Sequence, residues 1–183
     1  KDYLECRDIY NILKNNSINF YTGVPDSLMK DYISYIEDSE SKNIVTANEG
    51  LSVSLASGYH FATGKIPCVY LQNSGLGNII NPLISLVTDN VYNVPMLFLI
   101  GWRGEPYKYD EPQHLYQGKY IENIIRSMGI NYSILSDNID IVKQDIQDVV
   151  KYMNDTNNPF IYLVKKQSFK KYESNKKNNI QKD

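Results

Sequence analysis

Apolar positions along the chain switch between helical spacing and short unbroken runs. Leu4, Ile9, Ile12 and Leu13 form a stripe that fades at Asn15 and Asn16, the mark of an amphipathic helix with one buried face. "NFYTG" (19–23) reads as a short strand ended by Gly23. Leu28, Tyr32, Ile33 and Ile36 set a second helical stripe, with Asp26 or Ser27 expected as its N-cap. "NIVTA" (43–47) predicts the next strand. Positions 48–63 predict a small-residue helix in which Val53, Leu55, Ala56, Tyr59 and Ala62 can pack closely, ended by Gly64. "IPCVYLQ" (66–72) and "VPMLFLIG" (94–101) lack polar alternation and predict buried, central strands. "IINPLISLV" (79–87) predicts a helix with Pro82 in its first turn. A polar loop covers 102–112. Helix follows around 113–128, strand at 131–135, helix at 139–154 and a last strand, "FIYLV", at 160–164.

Strand and helix in alternation predict a doubly wound, mainly parallel α/β sheet with helices on both faces. Ligands of such sheets sit beyond the carboxyl ends of the strands. That rule directs attention to 24–27, 48–50, 72–78 and 101–114.

With 183 residues and 42% apolar composition the chain suits one domain. No apolar run approaches the ~20 residues of a membrane span, and no leader pattern opens the chain, so a cytoplasmic setting is expected. Two cysteines, Cys6 and Cys68, make neither a disulfide framework nor a zinc cluster, and Cys68 reads as a small core residue. Charge is uneven: residues 165–183 hold seven lysines against two acids, which leaves −7 of the overall −2 on 1–164. The acidic body argues against nucleic-acid binding. The domain is therefore expected to end at 164, with 165–183 a basic linker or disordered tail.

Glycine turns first suggest phosphate binding. Gly75 and Gly77 supply two glycines of a dinucleotide fingerprint, but the third position is Ile80. "GYHFATGK" (58–65) has its glycines one residue too far apart for a P-loop and leads into a strand, where a P-loop follows one. "NSGLG" lacks the glycine two residues before Ser74 that a nucleophile elbow requires. Asn157-Asn158 reads as a turn, and His60 as a packing or surface histidine in mid-helix. Glu49 opens the small-residue helix, where a helix-dipole role is the plain reading. His114 ends the loop "WRGEPYKYDEPQH", which crowds Arg103, Glu105, Asp110, Glu111 and Gln113 at a strand's ligand-facing end.

Four segments taken together, "FYTGVPDSLMKDY", "NEGLSVSLASGYHFATGK", "VYLQNSGLGNIINPLISL" and "LIGWRGEPYKYDEPQH", resemble the amino-terminal half of the thiamine-diphosphate-dependent decarboxylases, in the phosphonopyruvate decarboxylase branch with its sulfopyruvate relative. The resemblance runs from about 6 to 170, and "GWRGEP…DEPQH" favours the phosphonopyruvate side. It implies a three-layer pyrimidine-binding domain on a six-stranded sheet. It also implies thiamine diphosphate as cofactor, with Mg2+ and diphosphate contacts supplied by a "GDG…NN" segment that this chain lacks. The chain is thus expected to be a fragment or one subunit of a split enzyme, paired with a diphosphate-binding domain or subunit in at least a dimer, with a small 2-keto acid as substrate.

By the same resemblance Glu49, in "NEG", hydrogen-bonds the aminopyrimidine ring and is the catalytic residue. Pro25, Asn73, Ser74 and Gly75 line the cofactor, with Gly77 also clearing space. Asp26, Ser27, Arg103, Gln113 and His114 meet the substrate, Arg103 offering a fork suited to a phosphonate and Asp26 a route for a proton. A sulfopyruvate decarboxylase alpha subunit and a non-catalytic pairing module of the same fold are the alternatives.

Overall fold

A computed structural model describes residues 3–89 and 91–174. Six strands, β1 (Phe20–Gly23), β2 (Lys42–Val45), β3 (Cys68–Gln72), β4 (Leu97–Gly101), β5 (Asn131–Ile134) and β6 (Phe160–Val164), form one parallel sheet in the order β2-β1-β3-β4-β6-β5. Six α-helices accompany them: α1 (Cys6–Asn15), α2 (Lys30–Asp38), α3 (Glu49–Thr63), α4 (Leu76–Pro82), α5 (Pro112–Ser127) and α6 (Ile139–Thr156). The two longest apolar runs, β3 and β4, lie at the centre, as a sheet covered on both faces demands.

The strands explain the layers. Along β3, β4 and β6 successive side chains point to opposite faces. Cys68, Tyr70, Leu97, Leu99, Tyr162 and Val164 join a core with α1, α2 and α6, which supply Ile9, Leu13, Tyr32, Ile36, Ile146 and Met153. Val69, Leu71, Phe98, Ile100, Ile161 and Leu163 join the other, with Val53, Ala56, Ile79, Ile121 and Ile125 from α3, α4 and α5. The chain runs from β1 out to β2 and then returns past β1 to β3. The sheet's first reversal of direction is therefore the crevice between the carboxyl ends of β1 and β3, where ligands of open α/β sheets bind.

Three expectations are corrected. Neither Asp26 nor Ser27 caps α2. That helix starts at Lys30 with Met29 as N-cap and no side-chain cap bond, while the Asp26 carboxyl serves the Ser27 and Leu28 amides of the preceding turn and Gln72. Pro82 is not in a first turn. A 3₁₀ turn (Asn73–Gly75) leads directly into α4, so Pro82 closes that helix, and Leu83–Val87 continue as a π-helical turn. Proline has no N–H to give the carbonyl four residues back, and the ladder shifts register, with the Thr88 amide donating to the Leu83 carbonyl at 3.1 Å. Finally, the boundary expected at 164 falls inside packed structure. Phe169 is buried and stacked on Tyr32 at 4.9 Å, Leu4 pairs with Phe169, and Tyr172 donates to Asp38 at 3.1 Å. The remaining expected tail, 175–183, lies outside the described residues.

Candidate active site

Two carboxyl groups and an arginine organise the carboxyl-end rim of the sheet. Glu49 is the first residue of α3, whose N-cap Asn48 accepts from the Leu51 amide at 2.9 Å. Its Oε2 accepts from Asn78 Nδ2 at 2.7 Å. Its Oε1 lies over Gly75 and makes no hydrogen bond among the described residues. A Cβ added at Gly75 would stand 2.2 Å from that oxygen, so the turn after β3 is glycine because the glutamate occupies the space. Gly77 clears no comparable contact: a Cβ there meets nothing within 4 Å.

Asp26 follows β1 and is 3% exposed. Its Oδ1 accepts from Gln72 Nε2 at 2.9 Å, and Gln72 Oε1 accepts in turn from the exposed Ser74 hydroxyl at 2.7 Å. Its Oδ2 is enclosed without a hydrogen-bond partner among the described residues, against Gly101, where a Cβ would come within 1.8 Å. Burial raises the Asp26 pKa. Donation from Gln72 and from the Leu28 and Ser27 amides, with the charge of Arg103, pulls the other way without prevailing. An acid this enclosed forms the floor of the crevice, and has no open oxygen for the proton relay expected of it.

Arg103 was expected to reach a substrate anion. Most of its fork is instead engaged by Asp110: Nε donates to Oδ2 at 2.8 Å, and Nη2 pairs with Oδ1. Asp110 also accepts from the Gly104 amide at 2.8 Å, and Arg103 holds its carboxyl well below the usual carboxylate range. Arg103 Nη1 donates to Ser27 Oγ at 3.1 Å, which ties the loop after β4 to the turn after β1. Asn73, expected to face the cofactor, is fully buried. Its amide donates to the Arg103 carbonyl at 2.7 Å and accepts from the Arg103 amide at 3.2 Å, so it fixes the loop.

Pro25 and Ser27 are exposed at the rim. Gln113 and His114 sit in the first turn of α5. Gln113 is exposed, and His114 Nδ1 is enclosed without a partner among the described residues. No hydrogen bond joins either to Asp26, Glu49 or Arg103 among those residues. The structure thus assembles Glu49 with Gly75, and Asp26 and Ser27 with Arg103, and adds Gln72, Asn78, Gly101 and Asp110. All four additions lie in the strand-end segments 72–78 and 101–114 that the sequence singled out, but nothing in the sequence signalled their individual pairings.

The profile of the family described as "Thiamine pyrophosphate enzyme, N-terminal TPP binding domain" matches residues 7–124, which take in Glu49, Asp26, Gln72 and the Arg103 loop. The chain belongs to this family. It is 30% identical over 141 residues to phosphonopyruvate decarboxylase of Streptomyces hygroscopicus, covering 76% of this chain and 34% of that protein. It is 33% identical over 118 residues to sulfopyruvate decarboxylase subunit alpha of Methanocaldococcus jannaschii, covering 64% of this chain and 68% of that subunit. The crystal structure of benzoylformate decarboxylase from Polynucleobacter necessarius shares the fold with a TM-score of 0.73 at 15% identity, over 92% of this chain and 31% of that one. The chain therefore spans about a third of the phosphonopyruvate decarboxylase that it matches. Among the described residues no helix is long and apolar enough to cross a membrane.

Proposed function

We propose that this chain is the pyrimidine-binding part of a thiamine-diphosphate-dependent decarboxylase that converts 3-phosphonopyruvate to phosphonoacetaldehyde and carbon dioxide. The observation that carries the reading is Glu49: a carboxyl at a helix start, fixed through Oε2 by Asn78, with Oε1 uncommitted over a glycine-cleared surface. That is a fitting cradle for a flat ring with a hydrogen-bonding nitrogen. When bound, the cofactor supplies the electron sink that decarboxylation of a 2-keto acid needs. Glu49 would hold the aminopyrimidine nitrogen and set its proton, more effectively for being half-buried. Asn78 and Gly75 keep that carboxyl in one place, and Ser27 with Arg103 Nη1 faces the anionic end of the substrate. Magnesium and the diphosphate would be held by the diphosphate-binding domain or subunit.

Pairing with that partner, and with a second copy, is supported by exposed apolar side chains along α3 and in the segment after α4. Leu51, Phe61, Ile84 and Tyr92 are all about half exposed, and Phe61 meets Tyr92 edge to face at 5.6 Å. The second reading is a sulfopyruvate decarboxylase alpha subunit, favoured by the 68% of such a subunit that the chain covers.

The test supplies the missing half, thiamine diphosphate and Mg2+, and measures aldehyde formation from 3-phosphonopyruvate and 3-sulfopyruvate. Higher kcat/KM on the phosphonate is expected; preference for the sulfonate selects the second reading. Glu49→Gln is expected to keep the fold and lower the rate at least ~10²-fold, and a near-wild-type rate removes Glu49 from the mechanism.

A further inference from the structure

Asp26 is the one acidic side chain in the buried class among the described residues. Its surroundings suit the acid, not the anion. Gln72 donates to Oδ1, and the Leu28 and Ser27 amides also act on the carboxyl, but Oδ2 is sealed against Gly101 without a partner among the described residues. Arg103 is the cation that acts on it, yet its guanidinium is bonded to Asp110 and Ser27. An ionised oxygen left so enclosed and unpaired is strongly disfavoured. With the proton on Oδ2, every other polar atom in the series from Ser74 through Gln72 to Asp26 keeps its bond.

We propose that Asp26 is the charge gate of the crevice: held neutral by its enclosure against Gly101, which leaves Oδ2 without a partner, it admits a multiply charged anion to Ser27 and Arg103, and its ionisation turns such anions away. This inference rests on the decarboxylase reading for the identity of the substrate. Asp26 acts through the field it does or does not exert, without touching the substrate, as a 3% exposed side chain must. Arg103 and Asp110 together contribute no net charge; with Glu111 also near Arg103 and Glu49 the other carboxyl of the rim, Asp26 is the enclosed group whose protonation changes the charge at this end. Gln72 is the positioning residue, because its amide decides which oxygen is left to carry the proton.

Two measurements test it. In carbon-detected NMR of the chain, with aspartate carboxyls labelled, one resonance is expected to titrate above the others and to vanish in Asp26→Asn. Gln72→Leu removes the donor that favours the anion and is expected to move that resonance to still higher pH, a change that mere loosening of the crevice would reverse. In the enzyme completed with its diphosphate-binding half, the wild-type KM for 3-sulfopyruvate, whose sulfonate does not titrate near neutrality, is expected to rise up to about tenfold per pH unit above the Asp26 pKa. The change falls on KM and not on kcat. In Asp26→Asn the KM is expected to stay flat, and in Gln72→Leu the rise begins at higher pH. Asp26 titrating with the exposed aspartates, or an unaltered KM profile in Asp26→Asn, overturns the proposal. A completed enzyme that turns over no 2-keto acid overturns the functional reading, while the substrate-free titration still decides the state of Asp26.

Discussion

Asp26 and Asp110 lie on two sides of one arginine and have opposite fates. Asp110 takes two nitrogens of Arg103 and the Gly104 amide, and its pKa falls below the ordinary carboxylate range. Asp26 takes a neutral amide from Gln72 and a glycine wall, and its pKa rises. Asp26 is buried and Asp110 only partly so, which accounts for part of the difference. The partner supplies the rest: a charged fork stabilises the anion, whereas neutral amides leave desolvation in command. An arginine has only one fork. Committing it to Asp110 both braces the loop after β4 and leaves Asp26 to be a neutral acid.

The comparison breaks most forcefully at Asp110. Asp110→Ala strands an Arg103 side chain that is only 19% exposed. Losing one member of a buried pair costs ~3–5 kcal/mol, and partial solvent access reduces that to about 2 kcal/mol here. Denaturant unfolding reads the loss, and NMR should show Asp26 titrating lower once the freed guanidinium can turn toward it. A stability change under ~0.5 kcal/mol would mean that the pair does not brace the loop.

Gly101→Ala attacks the other side. The new methyl would stand 1.8 Å from Asp26 Oδ2, so the carboxyl must swing away from β4. A loss of ~1–3 kcal/mol is expected from this overpacking, with the titration of Asp26 returning toward that of exposed aspartates. Gly77→Ala is the matched control. It meets nothing within 4 Å on an exposed face of α4 and should gain up to ~1 kcal/mol from helix propensity. Equal losses at the two glycines would sink the claim that Gly101 is fitted to Asp26.

These pairings mark where the sequence stops being legible. The central place of β3 and β4, the helices and the strand-end location of the site follow from local period, because these strands are apolar on both faces and Glu49 opens a helix directly after a strand. What does not follow is who meets whom across the sheet. Gln72 and Asp26 are 46 residues apart, and Arg103 had several acids within its own loop to choose from. Asn73 reads as a polar group for a ligand in the linear chain. Only the fold reveals that both ends of its amide are used on the Arg103 backbone. Glycine carried a similar ambiguity: Gly75 and Gly77 look alike in "GLGN", yet only Gly75 has a carboxylate against it. The start of the expected tail misled because Phe169 and Tyr172 are single aromatics within a lysine-rich stretch, and each finds a partner on α2.

The finest cut between the two aspartates is their effect on stability as pH changes, because the signs are opposite. Asp110 has a folded pKa below its unfolded value near 3.8, so its contribution is present above that value and is lost as pH falls through the folded pKa. Asp26 has a folded pKa above 3.8. Between the two values the folded state binds more protons than the unfolded chain, and stability drops as pH rises through the folded pKa of Asp26. Asp26→Asn removes that penalty. Relative to wild type it should gain stability from pH 4 upward, to a plateau above the folded pKa, and the gain should vanish below about 3.8. Asp110→Asn should show the reverse, destabilised at neutral pH and drawing level with wild type only in strong acid. Urea unfolding of both variants from strong acid, about pH 1.5, to pH 8 supplies the curves. If the two difference curves slope the same way, Arg103 does not divide the pair as its hydrogen bonds imply.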